Sequence, residues 1–175
     1  MKISKFPILM TILVGILWLC TPGVTVWAET QHSLQVEATS YIVSSQWLPA
    51  GDEAGHAIGM QKREGEGVFS NGETAKYSTV STFDSRRSTG GMAQGYSTFT
   101  FVDGSLIIFS WKAEITRNQD GLPFNQGQGS ILKGTGRFEG IKGISDFSGP
   151  QLKPAAEDPK LTASQKATIA YTLPL

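Results

Sequence analysis

Residues 134–143 read GTGRFEGIKG, with glycine at Gly134, Gly136, Gly140 and Gly143 around Phe138. A glycine-rich run of this kind either cradles a phosphate or bends a backbone, and the two uses demand different neighbours. A phosphate loop follows a strand and opens a helix whose first N–H groups point at the anion. Here the run follows strand-like Ser130–Lys133, but Ile144-Ser145-Asp146-Phe147-Ser148-Gly149 after it alternates as a strand does. The spacing of Gly134, Gly136 and Gly140 is G-x-G-x-x-x-G, one residue longer than the dinucleotide fingerprint. The run therefore reads as a tight bend between two strands whose backbones approach closely, with Phe138 plugging one end of what the strands enclose.

Strand signals continue on both sides. Leu34, Val36, Ala38 and Ile42 fall at even positions in Ser33–Ser44, and Ala167, Ile169, Tyr171 and Leu173 repeat the two-residue period against Lys166, Thr168 and Thr172. Further strands are expected over Ala57–Phe69, Glu73–Asp84, Gly91–Val102, Ser105–Thr116, Gly127–Lys133 and Ile144–Ser148, which brings the number to about eight. Asn71-Gly72 and Asp103-Gly104 are hairpin dipeptides, able to take the positive φ that tight turns require. Leu48–Gly55, Arg117–Gln126 and Gly149–Ala163 carry Pro, Gly, Asn and Asp and read as surface loops. A short helix within Leu152–Ala163 is opposed by Pro154 and Pro159.

Eight strands with no long helical period point to an all-β fold, a closed antiparallel barrel in which no edge is left exposed. A barrel of this size is either filled by side chains or leaves room for one small ligand. In Ser105–Thr116 the residues Ile107, Phe109, Trp111, Ala113 and Ile115 form an apolar row, whereas the opposite row ends in Lys112 and Glu114. The apolar row is assigned to the lumen, with Phe99, Phe101, Tyr77 and Phe83 as neighbours. These aromatics either line a ligand site or fill a core.

The first residues carry an export signal. Lys2 and Lys5 precede the apolar run Phe6–Leu19, and Val26-Trp27-Ala28 supplies a cleavage site, so residues 1–28 are expected to be a signal peptide and residues 29–175 one barrel domain. The run of about 14 residues is short for a stable membrane anchor, which needs about 20. Leu19 before Cys20 is too large for a lipid-attachment site. Cleavage removes Cys20, the only cysteine, so no disulfide is expected in a secreted or periplasmic chain. It also removes two of the 15 basic residues, leaving 13 against 15 acidic ones, a net charge of −2. That balance argues against a nucleic-acid partner, and the pairs Lys62-Arg63 and Arg86-Arg87 read as solvated rims.

Catalytic constellations are sparse. His32 and His56 are the only histidines, too few for a His-based zinc site, and a Ser-His-Asp triad would have to use one of them. Glu64 and Glu66 share a strand face, which serves general acid–base work if it points inward and is a solvated face if it does not. No metal or cofactor is expected.

With these residues in view, KGTGRFEGIKG resembles the G-G-T-G-x-F-x-G-x-x-G signature of the allene oxide cyclase-like barrels, a grouping that includes the plant dirigent proteins. The entering strand GSILKG and the final AYTLPL are similar too. The resemblance is specific over residues 127–149. It implies a calycin-like eight-stranded barrel with a mainly apolar lumen, an exported bacterial member of the group, and a homotrimer. It also implies either binding of a small apolar or amphipathic molecule or, in the alternative, a cofactor-free isomerase or cyclase reaction on a reactive apolar substrate. A structural barrel with a filled lumen is the third reading. The shared motif is architectural, and the catalytic positions stay unassigned.

Overall fold

The computed structural model describes residues 30–174. The expected leader, with Cys20, lies outside these residues. The described chain is one closed antiparallel barrel, with β1 (Gln31–Pro49), β2 (His56–Phe69), β3 (Thr74–Arg86), β4 (Gly90–Phe101), β5 (Leu106–Arg117), β6 (Pro123–Gly134), β7 (Lys142–Pro150) and β8 (Ala163–Thr172) in ring order. β1 pairs with β8 from Gln31↔Thr172 to Ser40↔Ala163 and closes the sheet. Register shifts at Ile42/Ser44 and at Ile108/Phe109 mark bulges, which bend a sheet toward closure.

Inward strand positions explain the curvature. Gly65, Gly95, Gly127 and Gly149 lie where an added Cβ would run into the backbone of the neighbouring strand. Glycine at such points lets a sheet turn a corner that any side chain would block.

The hairpins at the lower end share one geometry. In the first, Gly72 N–H donates to the Phe69 carbonyl and Phe69 N–H to the Glu73 carbonyl; in the second, Gly104 donates to Phe101 and Phe101 to Ser105. Only the glycine of each dipeptide takes positive φ, +86° and +84°. They are three-residue turns closed by a glycine bulge, not the two-residue turns that need positive φ twice. The same turn recurs above, where Gly121 donates to Asn118 and Asn118 to Leu122. The segment expected as a loop over Arg117–Gln126 is therefore a tight hairpin, its signal being Asp120-Gly121.

The glycine run closes the lower end. It forms a single 3-10 turn over Gly136–Phe138 and enters β7 with no longer helix. Gly136 takes φ +62° and Gly140 φ +75°, and a Cβ at Gly134 would meet the Phe138 carbonyl. Phe138 is buried against Phe101, ring centroids 4.8 Å apart. Arg137 lies over both rings at 4.8 Å and pairs with Glu73 at 2.6 Å and Asp103 at 3.5 Å. The cation thus ties the plug to the first and second lower turns, and its pairing holds the Glu73 carboxyl below the usual range.

At the upper end, residues 151–162 form a long turn-rich loop without the helix considered above. It is anchored by Ile42 N–H donating to the Lys160 carbonyl at 2.8 Å and by Leu152 N–H donating to Thr162. Several strands run further up than expected: β1 to Pro49, β6 from Pro123 and β7 to Pro150. In β6 the added inward residue is the polar Asn125, so the alternation that reveals a strand is lost there. Pro123 is tolerated as a first strand residue.

Candidate functional site

Alternation along the strands aims one row of each into the lumen, and that row changes character with height. In the lower half the lumen is solid. Phe69 meets Phe99 at 5.2 Å and Phe101 at 5.1 Å, Phe99 meets Phe109 at 6.1 Å, and Ile107 and Ile169 are fully buried beside them. A void of about 50 Å³ between Tyr77, Phe99, Phe109, Trp111, Phe147 and Ile169 is all that remains at mid-height, enough for a water or two.

Above this floor the lumen opens. A cavity of about 270 Å³ lies between Gln61, Arg63, Tyr77, Thr79, Phe83, Trp111, Arg117, Asn125 and Gln165, with Leu161 of the long loop over it. Two further hollows, of about 670 and 850 Å³, are lined by outward-facing residues, such as Val80, Tyr96 and Ile144 in the first and Val68 and Lys166 in the second, together with inward-row residues of the same strands such as Trp111 and Phe147.

The floor of the upper cavity is a polar network. The Trp111 Nε1–H donates to Ser97 Oγ at 2.9 Å, and the Tyr77 hydroxyl shares a 3.2 Å hydrogen bond with the same oxygen and reaches Gln165 Oε1 at 3.4 Å. Burial raises the Tyr77 pKa above its ordinary value, so the phenol stays neutral and can donate. Arg63 donates from Nε to Ser40 Oγ and from Nη2 to the Ser40 carbonyl, both at 3.2 Å, and also to the Leu161 carbonyl. Burial lowers its pKa without bringing it within reach of neutrality. Leu161 holds φ +51°, the only non-glycine residue with positive φ among the described residues. Thr79 Oγ1 and Arg117 Nε are buried without a hydrogen-bond partner.

The candidates named from the sequence separate into two groups. Tyr77, Phe83 and Trp111 line the upper cavity, and Phe99 and Phe109 border the small void. Phe101 and Ile107 lie in the packed lower half and line no cavity, because Phe138 and Ile141 fill the space beside them. Trp111 makes its ring contact with Phe147, edge-on at 5.7 Å. Glu64 and Glu66 lie on the outer row, Glu64 paired with Lys62 at 2.6 Å. Arg63, which reads from the sequence as part of a solvated rim, turns into the lumen instead. It shares odd parity with Phe69 and Gly67 on β2, and Arg117 continues the row Ile107–Ile115 by one step, so the same count that found the aromatics reaches both arginines.

His56 opens β2, is 6% exposed and serves no nucleophile. Its Nδ1 lies 2.5 Å from Asp52 and its Nε2 2.7 Å from Asp84, with Arg86 bridging to Glu53 at 2.8 Å. Only a doubly protonated ring donates to two carboxylates, so neither nitrogen is free to act as a base for a serine. The Asp84 and Asp52 hydrogen bonds raise the His56 pKa, and the bond to His56 lowers that of Asp52. A raised His pKa adds stability that is complete below its unfolded value of about 6.5 and lost as pH climbs through the folded one; the lowered Asp52 contribution is lost as pH falls below about 4. The urea midpoint of the wild type should therefore exceed that of His56→Asn most strongly between these limits and converge on it at alkaline pH. A difference independent of pH would rule out the charged clamp.

No protein-family model matches the chain, and no curated protein matches it. Among solved structures it is similar to the pterocarpan synthase dirigent protein GePTS1, with 14% identity and a TM-score of 0.49 over 83% of this chain and 86% of that one. It is likewise similar to the pterocarpan synthase dirigent protein PsPTS1, with 13% identity and a TM-score of 0.50 over 83% of this chain and 96% of that one. At this identity the second likeness concerns the fold alone: the chain has the dirigent-type eight-stranded barrel with a buried aromatic cluster.

Proposed function

We propose that the protein is an exported barrel that binds one small amphipathic molecule in the upper lumen. The observation that supports this reading is the division of the lumen. The lower half carries the packing that stabilises the fold, while the upper half keeps a cavity of about 270 Å³ walled by Phe83 and Trp111 and by converging polar groups. Concave apolar walls with a few placed polar groups are the ordinary make-up of a small-ligand site.

A second reading is an isomerase or cyclase reaction in the same space, of the kind that the synthase names of the similar dirigent proteins bring to mind. The Tyr77–Ser97–Trp111 network favours it, because a neutral buried phenol can donate to an oxygen on which charge develops. The homotrimer remains part of the proposal, with the outer hollow at Val80, Tyr96 and Ile144 as its contact.

The test is a titration of the purified protein with hydrophobic and amphipathic probes, following tryptophan emission. Ala93 is a buried residue lining the same cavity, and saturable binding that is lost when Ala93→Trp fills the space is the expected result. Saturable binding that survives this substitution in a folded barrel would put the ligand on the outer wall, and no binding by any probe would leave a filled structural barrel.

A further inference from the structure

The upper cavity has an electrostatic imbalance. Its lining contains two charged side chains, Arg63 and Arg117, and no Asp or Glu. Arg63 is held by Ser40 and Leu161, acceptors that orient its guanidinium but carry no charge, and among the described residues Nη1 has no protein acceptor. Asp158 acts on it electrostatically but makes no ion pair with it, its carboxylate accepting the Lys160 and Thr162 backbone N–H groups. Arg117 makes no ion pair among the described residues, and its Nε is buried without a partner. A guanidinium does not neutralise itself by losing a proton, so two half-buried cations without an ion pair among the described residues, lining one cavity, favour an anion between them.

Resting on the lumen-binding reading, we infer that the occupant is a small aromatic carboxylate, its ring against Phe83 and Trp111 and its acid group between Arg63 and Arg117. The planar fork of a guanidinium matches the two oxygens of a carboxylate. Phe83 and Trp111 line the same cavity and offer flat apolar surfaces to a ring. A volume of about 270 Å³ accommodates one ring with a short acidic arm.

The experiment compares cinnamate with cinnamamide, which has the same shape and no charge, by calorimetric titration of the full protein. Cinnamate should bind about tenfold or more tightly than cinnamamide, as expected when a charged hydrogen-bonding pair is lost, and the preference should shrink with added salt. Arg117→Gln and Arg63→Gln should each reduce the preference. Because Arg63 also ties β1 to the long loop, Arg117→Gln, which has no protein bond to lose at Nε, decides the matter if Arg63→Gln fails to fold. Equal affinity of the wild type for both compounds would overturn the carboxylate while leaving lumen binding in place. A preference unchanged in Arg117→Gln would overturn it as well. If neither compound binds, and no probe of the broader titration does, the lumen reading falls and the carboxylate with it.

Discussion

Replacing Phe138 with alanine is expected to lower the unfolding free energy by about 3–5 kcal/mol, the usual loss for a buried phenylalanine. Phe138 supports more than its own area. Its ring lies tilted against Phe101, centroids 4.8 Å apart, Phe101 packs on Phe69, and the Arg137 guanidinium lies over Phe138 and Phe101 while pairing with Glu73 and Asp103. Removing the ring opens the lower end to water and leaves the cation without the surface beneath it. Neighbouring Gly136→Ala should cost less, about 1 kcal/mol or more, through its positive φ and the approach of Ser105 Oγ to the new methyl group. Urea unfolding of the two variants measures both. A Phe138→Ala loss below about 1 kcal/mol would mean that the end plug contributes little to the fold.

Trp111→Ala is expected to weaken probe binding about tenfold or more, since a large aromatic against a ligand contributes on the order of 1–3 kcal/mol. Trp111 stands at the boundary between the solid and open halves. Its indole N–H is committed to Ser97 and its ring meets Phe147 in a T-shaped contact, which fixes it as a wall of the cavity. Trp47 is 61% exposed at the upper end of β1, so in protein lacking residues 1–28, which carry Trp18 and Trp27, a Trp47→Phe background isolates the Trp111 emission signal. Trp111→Phe, which keeps an aromatic wall and loses only the donor, should bind nearly as the wild type does if apolar contact dominates. Undiminished binding by a folded Trp111→Ala protein would move the site away from the upper lumen.

The lower half of the molecule was legible because its residues obey one rule. Val36 and Ala38, Phe99 and Phe101, Ile107 and Phe109 alternate with polar or outward residues, and in a strand alternation is direction. The glycine run could be read as a bend because a phosphate loop needs a helix after it, and Ile144–Gly149 alternates instead. Turn positions were legible from Asn71-Gly72 and Asp103-Gly104, though not their type: the glycine bulge depends on how the flanking strands pair.

The upper half was less legible, and for a related reason. Gln61, Arg63, Arg117, Asn125 and Gln165 occupy inward positions, but polar side chains at such positions look like strand ends or solvated rims. Arg117 and Asn125 accordingly read as loop residues. Alternation, the number of strands and the glycine run together determined that this chain forms an all-β barrel with an aromatic interior and a glycine-shaped plug. Only closure of the sheet decided that Arg63 of β2 and Arg117 of β5 face one cavity, because the periodicity of a strand says which face a residue takes and not what stands across the lumen from it.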